Sequence, residues 1–149
     1  MLRALKRLFD EHGGDAATPG FERRQLRLAV ATLLHESTRV DLELHPAENA
    51  AAIHALAELF ALDATECTTL LAAARDKCGN LTSYFAQVSV IKRDFSMHQR
   101  IRLIEHLWRI AYAHGQLDLH EDHFVRKIAH LLYVPNTQCM LARSRAQQG

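Results

Sequence analysis

Tyr112-Ala113-His114-Gly115-Gln116-Leu117-Asp118-Leu119-His120-Glu121 joins two apolar stretches of helical spacing through a short polar loop. Upstream of it, Leu103, Ile104, Leu107, Trp108, Ile110 and Ala111 cover most of the circumference of a helix, which predicts a central position for that helix. Gly115 stops it, because glycine enters the left-handed conformation that ends a helix without a steric penalty. Asp118 then caps a following helix, on which Phe124, Val125, Ile128, Leu131 and Leu132 face inward. The design occurs twice. Arg39-Val40-Asp41-Leu42-Glu43-Leu44-His45-Pro46-Ala47-Glu48 lines up with Tyr112–Glu121 at a constant offset, setting Asp41 against His114, Glu43 against Gln116 and Glu48 against Glu121.

The repeat extends beyond the loops. Glu48 is followed by Leu56, Leu59, Phe60 and Leu62, and Glu121 by Ile128, Leu131, Leu132 and Val134, one residue shorter. Helical spacing also governs the rest of the chain. Met1, Leu2, Leu5, Leu8 and Phe9 form one stripe beside Arg3, Lys6 and Arg7, and Gly13 to Gly20 reads as a flexible linker. A second helix, about 21–37, carries Leu26, Val30, Leu33 and Leu34. Pro46 suits a first helical position, and Ile53, Leu56, Leu59 and Phe60 predict the buried face of a third. Asp63-Ala64-Thr65-Glu66 has capping-box spacing and opens a fourth to about Lys77. Gly79-Asn80 punctuates the chain before Tyr84, Phe85, Val88 and Ile91 mark a short fifth helix. Ser96 caps the central sixth, and Pro135-Asn136 starts a polar last helix containing Arg143 and Arg145. The expected fold class is all-α: one bundle of seven to eight helices, residues 21–149, with an approximate internal two-fold repeat, preceded by an amphipathic helix and linker at 1–20.

Composition narrows function. A chain of 149 residues, nearly half of them apolar, forms one domain with a real core. A formal charge of +1 provides no field to attract phosphates, which argues against a nucleic-acid binder. Cys67, Cys78 and Cys139 are odd in number, widely spaced and without a CxxC pair, as suits reduced packing thiols in a cytoplasmic protein. No apolar run reaches the ~20 residues of a membrane span, and Arg3, Lys6, Arg7 and Asp10 interrupt the N-terminal stripe where a signal peptide would be continuous. There is no glycine-rich phosphate loop and no serine in a nucleophile elbow, so the reading is non-catalytic.

The repeated loop places oxygen and nitrogen donors at matched positions: Asp41, Glu43 and Glu48 in the first half, His114 and Glu121 in the second. These five are the candidate ligands of a divalent metal cation, for which one or two carboxylates plus water already suffice in the case of magnesium. A competing reading has Glu48 and Glu121, each at the third helical position, turning back to cap their own helices. His120 and His123 would share a solvent-facing helix surface without the HExxH order of a zinc site. Trp108, Arg109 and Tyr112 could line a pocket, although a tryptophan on a central apolar helix is more often core.

At Ala31-Thr32-Leu33-Leu34-His35-Glu36, Asp41, Pro46-Ala47-Glu48, Leu107-Trp108-Arg109-Ile110-Ala111-Tyr112-Ala113, Gly115 and Glu121, the chain resembles the tellurite-resistance TerB-like family, particularly its stand-alone proteobacterial members. The resemblance runs from Leu28 to about Arg143. It implies an all-helical, pseudo-two-fold fold with acidic loops for a divalent metal, a role in tellurite and chemical-stress resistance, and a protein partner in a cytoplasmic or inner-membrane-associated assembly. It implies no catalytic activity. Two departures stand out: His114 precedes Gly115 where the family carries Asp, and Gln116 stands where it carries an acid. Of manganese, zinc, magnesium and calcium, the exchange of carboxylate for imidazole and amide disfavours calcium and favours manganese or zinc. The alternative is a metal-free helical interaction or membrane-surface scaffold that uses the basic N-terminal stripe.

Overall fold

In the computed structural model, which describes residues 19–38, 46–78, 83–113, 115 and 117–148, every element is a helix. They are α1 (Pro19–Thr38), α2 (Pro46–Phe60), α3 (Ala64–Cys78), α4 (Phe85–Asp94), α5 (Met97–Tyr112), α6 (Leu119–Leu131) and α7 (Asn136–Gln148). The expected all-α class holds for the described residues, whose seven helices fall within the seven to eight expected. The N-terminal stripe, residues 13–18 of the linker, the Arg39–His45 loop, Gly79-Asn80, His114 and Gln116 lie outside the described residues.

The helix starts follow from local chemistry. Ser96 Oγ accepts from the Gln99 N–H at 3.2 Å while Gln99 Oε1 accepts from the Ser96 N–H at 2.8 Å, so two otherwise unpaired donors are satisfied together. Asp63 and Glu66 do the same ahead of α3, at 2.8 and 3.2 Å. The ends are equally local. Gly115 takes φ +101° beyond α5. Tyr133, at φ 59°, closes α6 in a Schellman turn: its N–H donates to the His130 carbonyl at 3.0 Å, and the Val134 N–H to the Ala129 carbonyl at 2.9 Å. Ala61 ends α2 in the same left-handed conformation, φ 54°. A side chain there costs about 1–2 kcal/mol. Burial of Val134, the residue after Tyr133, offsets a cost of that size.

The core collects around α5, whose Leu103, Ile104, Leu107, Trp108, Ile110 and Ala111 are all inaccessible to solvent. It packs on α1, α2, α6 and α7, as a helix apolar on most sides must. The innermost positions of α2 are Ala52, Ala55 and Leu56; Ile53, Leu59 and Phe60, expected to share that face, are only half-buried against the core. In each half of the chain the first helix packs more extensively on the third than on the second: α1 on α3, α5 on α7. The equivalence ends there, since α2 packs heavily on α5 whereas α6 barely meets α1, and α4 has no counterpart. Among the described residues no helix is long and apolar enough to cross a membrane.

Candidate functional site

Glu48 and Glu121 occupy the same register, each the third residue of its helix. Both are 1% exposed. They belong to different halves of the chain, yet the fold brings them near enough for the charge of Glu48 to disfavour ionisation of Glu121. Asp41, Glu43 and His114, the other predicted donors, lie outside the described residues. Among the described residues no group of three or more His, Cys, Asp or Glu side chains is arranged to hold a metal ion.

The capping reading of Glu121 is realised in part. Asp118 Oδ1 accepts from the Glu121 N–H at 2.8 Å, and Glu121 Oε1 accepts from the Asp118 N–H at 3.4 Å. The second contact is long for an N–H···O bond, so the cap engages this carboxylate weakly. A helix N-terminus stabilises an anion by about 0.3–1 kcal/mol. Removing a carboxylate from water costs several kcal/mol, and here burial wins. Burial first, then the hydrogen bond and charge of Asp118, with Glu48 adding to them, push Glu121 up to about 8. A carboxylate held in a dry site beside a second one is stabilised by retaining its proton, by protein donors or basic side chains, or by a cation.

That balance has a measurable sign. Glu121 titrates higher folded than unfolded, so its contribution to stability is complete below pH 4.5 and disappears as the pH rises through about 8. His106 has the opposite sign: lowered from 6.5 to about 4, it contributes fully above pH 6.5 and fails as the pH falls toward 4. Of the two, only Glu121 acts between pH 6.5 and 8. In chelator-treated protein, urea unfolding should therefore show stability falling across that window by up to about 1.4 kcal/mol per pH unit relative to Glu121→Gln. Parallel wild-type and variant curves would show that the carboxyl is not protonated there.

Sequence reasoning missed a second polar cluster, between α2, α5 and α7. Glu105 is buried, accepts hydrogen bonds from Arg102 at 3.0 Å and Arg145 at 2.5 Å, and forms an ion pair with Arg109 at 2.8 Å. Burial raises its pKa, but the Arg145 hydrogen bond and the charges of Arg109, Arg102 and Arg145 outweigh that and hold it below the usual carboxylate range. Glu58 of α2 pairs with Arg102 and lies 3.2 Å from the buried His106 Nε2, in poor alignment for a hydrogen bond. Burial, then Arg109 and Arg102, keep that imidazole neutral. The available signal was the Arg102–Glu105–Arg109 spacing, which places three charges on one face of the central helix. The arrangement joins three helices.

The remaining candidates resolve simply. Trp108 is core: its indole N–H donates to the Cys139 carbonyl at 3.1 Å, and Arg143 lies across its ring. Cys67 and Cys139 are buried, and burial raises both thiols, which makes them poor nucleophiles. His120 and His123 are exposed. Comparison with protein families matches residues 27–144 to the model of Tellurite resistance protein TerB. No curated protein and no solved structure matches the chain.

Proposed function

Because this chain belongs to the tellurite resistance protein TerB family, we propose that it is a non-catalytic resistance accessory protein that holds a divalent cation between its two polar loops and presents that end to a partner protein. The observation that carries the reading is the pair Glu48 and Glu121, matched in helical register, both buried, and close enough to repel. A cation between them would be one source of the compensation that two buried carboxylates require. Asp41 and Glu43 would add oxygen donors from the first loop and His114 a nitrogen from the second. An imidazole in that set favours manganese or zinc over calcium. The protein would act in the cytoplasm, or at the inner face of the membrane within a protein assembly.

A second reading draws on the Asp118–Glu121 capping box, which does form. In it the glutamates are helix caps of a metal-free interaction scaffold. Melting of chelator-stripped protein with calcium, magnesium, manganese or zinc separates the two. An ion at ~100 times its dissociation constant adds about 2.7 kcal/mol, or roughly 5–10 °C for a domain of this size. The shift should appear with manganese or zinc and vanish in Glu48→Gln/Glu121→Gln, whose helix content stays intact. A shift that persists in that variant, or none with any ion, removes the cation from the proposal.

A further inference from the structure

The start of α4 and the end of α6 enclose a cavity of about 370 Å³ that the paired glutamates do not touch. We propose that it is the docking site for a short acidic peptide segment of a partner protein, with a bulky apolar side chain seated in the cavity and neighbouring carboxylates on Lys92 and Lys127.

The walls are apolar, from Tyr84, Val88 and Leu131, while Phe85 and Tyr133 stand at the rim, 78% and 69% exposed. These are among the largest apolar side chains the fold leaves in water, and they flank one opening. Large aromatic side chains around a concave apolar site are what peptide anchors use. The volume matches one or two side chains, and the concavity suits a segment that inserts better than a flat bilayer.

The charge pattern specifies the rest of the ligand. Lys92 Nζ sits 4.3 Å from the Tyr133 ring centroid and Lys127 Nζ 5.6 Å from that of Tyr84, so aromatic faces hold both ammonium groups at the cavity. Among the described residues, no aspartate or glutamate lines it. An apolar cavity with two cations and no lining anion is complementary to a ligand that combines carboxylates with an apolar anchor. Tyr133 reaches the rim from a left-handed backbone, where most chains place glycine or asparagine. The fold thus keeps a large aromatic side chain at a position that favours a small residue.

This site lies at the opposite end of α6 from Glu121, and needs neither the cation nor the carboxylate pair. The test pans a random phage-displayed library of peptides about twelve residues long against the full chain, followed by fluorescence anisotropy with the enriched peptide. The expected consensus places Asp or Glu within a few positions of Leu, Ile, Phe or Trp. Lys92→Glu/Lys127→Glu should weaken binding by about tenfold or more, equivalent to about 1.4 kcal/mol. Phe85→Ala, at a side chain that contributes little to the fold, should weaken it with no change in melting temperature. An acid-free consensus, no enriched peptide, or equal affinity for the charge-reversed variant overturns the proposal. So does binding of phosphatidylglycerol vesicles through Lys92 and Lys127 without peptide binding, which would make this a membrane-facing surface.

Discussion

Trp108→Ala should lower stability by about 3–5 kcal/mol and the melting temperature by roughly 10 °C or more. Trp108 is inaccessible to solvent at the centre of α5, and its removal leaves a hole between α5 and α7 that neither rigid helix can close. Two directed contacts disappear with it: the indole N–H to the Cys139 carbonyl, and the Arg143 guanidinium 5.4 Å from the ring centroid. Trp108→Phe separates the contributions. It retains most of the volume and loses the hydrogen bond, so a cost near 1 kcal/mol is expected. Thermal melting followed by circular dichroism measures both. An alanine variant as stable as the phenylalanine variant would show that the indole is not part of the packed core.

Glu105→Ala should be nearly as damaging, by about 2–4 kcal/mol. Breaking a buried ion pair from one side typically costs 3–5 kcal/mol. Arg102, Arg109 and Arg145 are each about a third or more exposed, and water will recover part of that. Arg145→Ala, at the solvent end of the same network, should cost no more than about 1 kcal/mol. The loss has a defined pH sign. A carboxylate held below its ordinary pKa contributes stability that is present above pH 4.5 and lost as the pH falls through its folded value. Urea unfolding of wild type and Glu105→Gln should therefore differ at pH 7 and converge in acid. A constant gap between the two would mean that packing, not charge, accounts for Glu105.

What could be read in advance was governed by near neighbours in the chain. Capping at Ser96, Asp63 and Asp118 is settled within four residues, as is the stop at Gly115, and the structure has each of them. The apolar periodicity of α5 identified the central helix for the same reason. The matched positions of Glu48 and Glu121 were also legible, because equal spacing from a helix start is a property of sequence. Their burial and mutual approach were not, since both depend on how α2 and α6 are placed by other helices. The Glu105 cluster was hidden more deeply: Glu58 and Arg145 lie on two other helices, far from Glu105 in sequence. The left-handed Tyr133 ran against local preference, and only the closing contacts of α6 identify it.

Trp108 is also the chain's single tryptophan, and it sits at the seam between α5 and α7. Light absorbed near 295 nm by the intact protein therefore reports on one place. Emission in the native state comes from an indole shielded from solvent, and acrylamide can quench it only when the seam opens. Detachment of the C-terminal helix can thus be timed in unlabelled protein and distinguished from changes in total helix content, which α1 to α4 dominate.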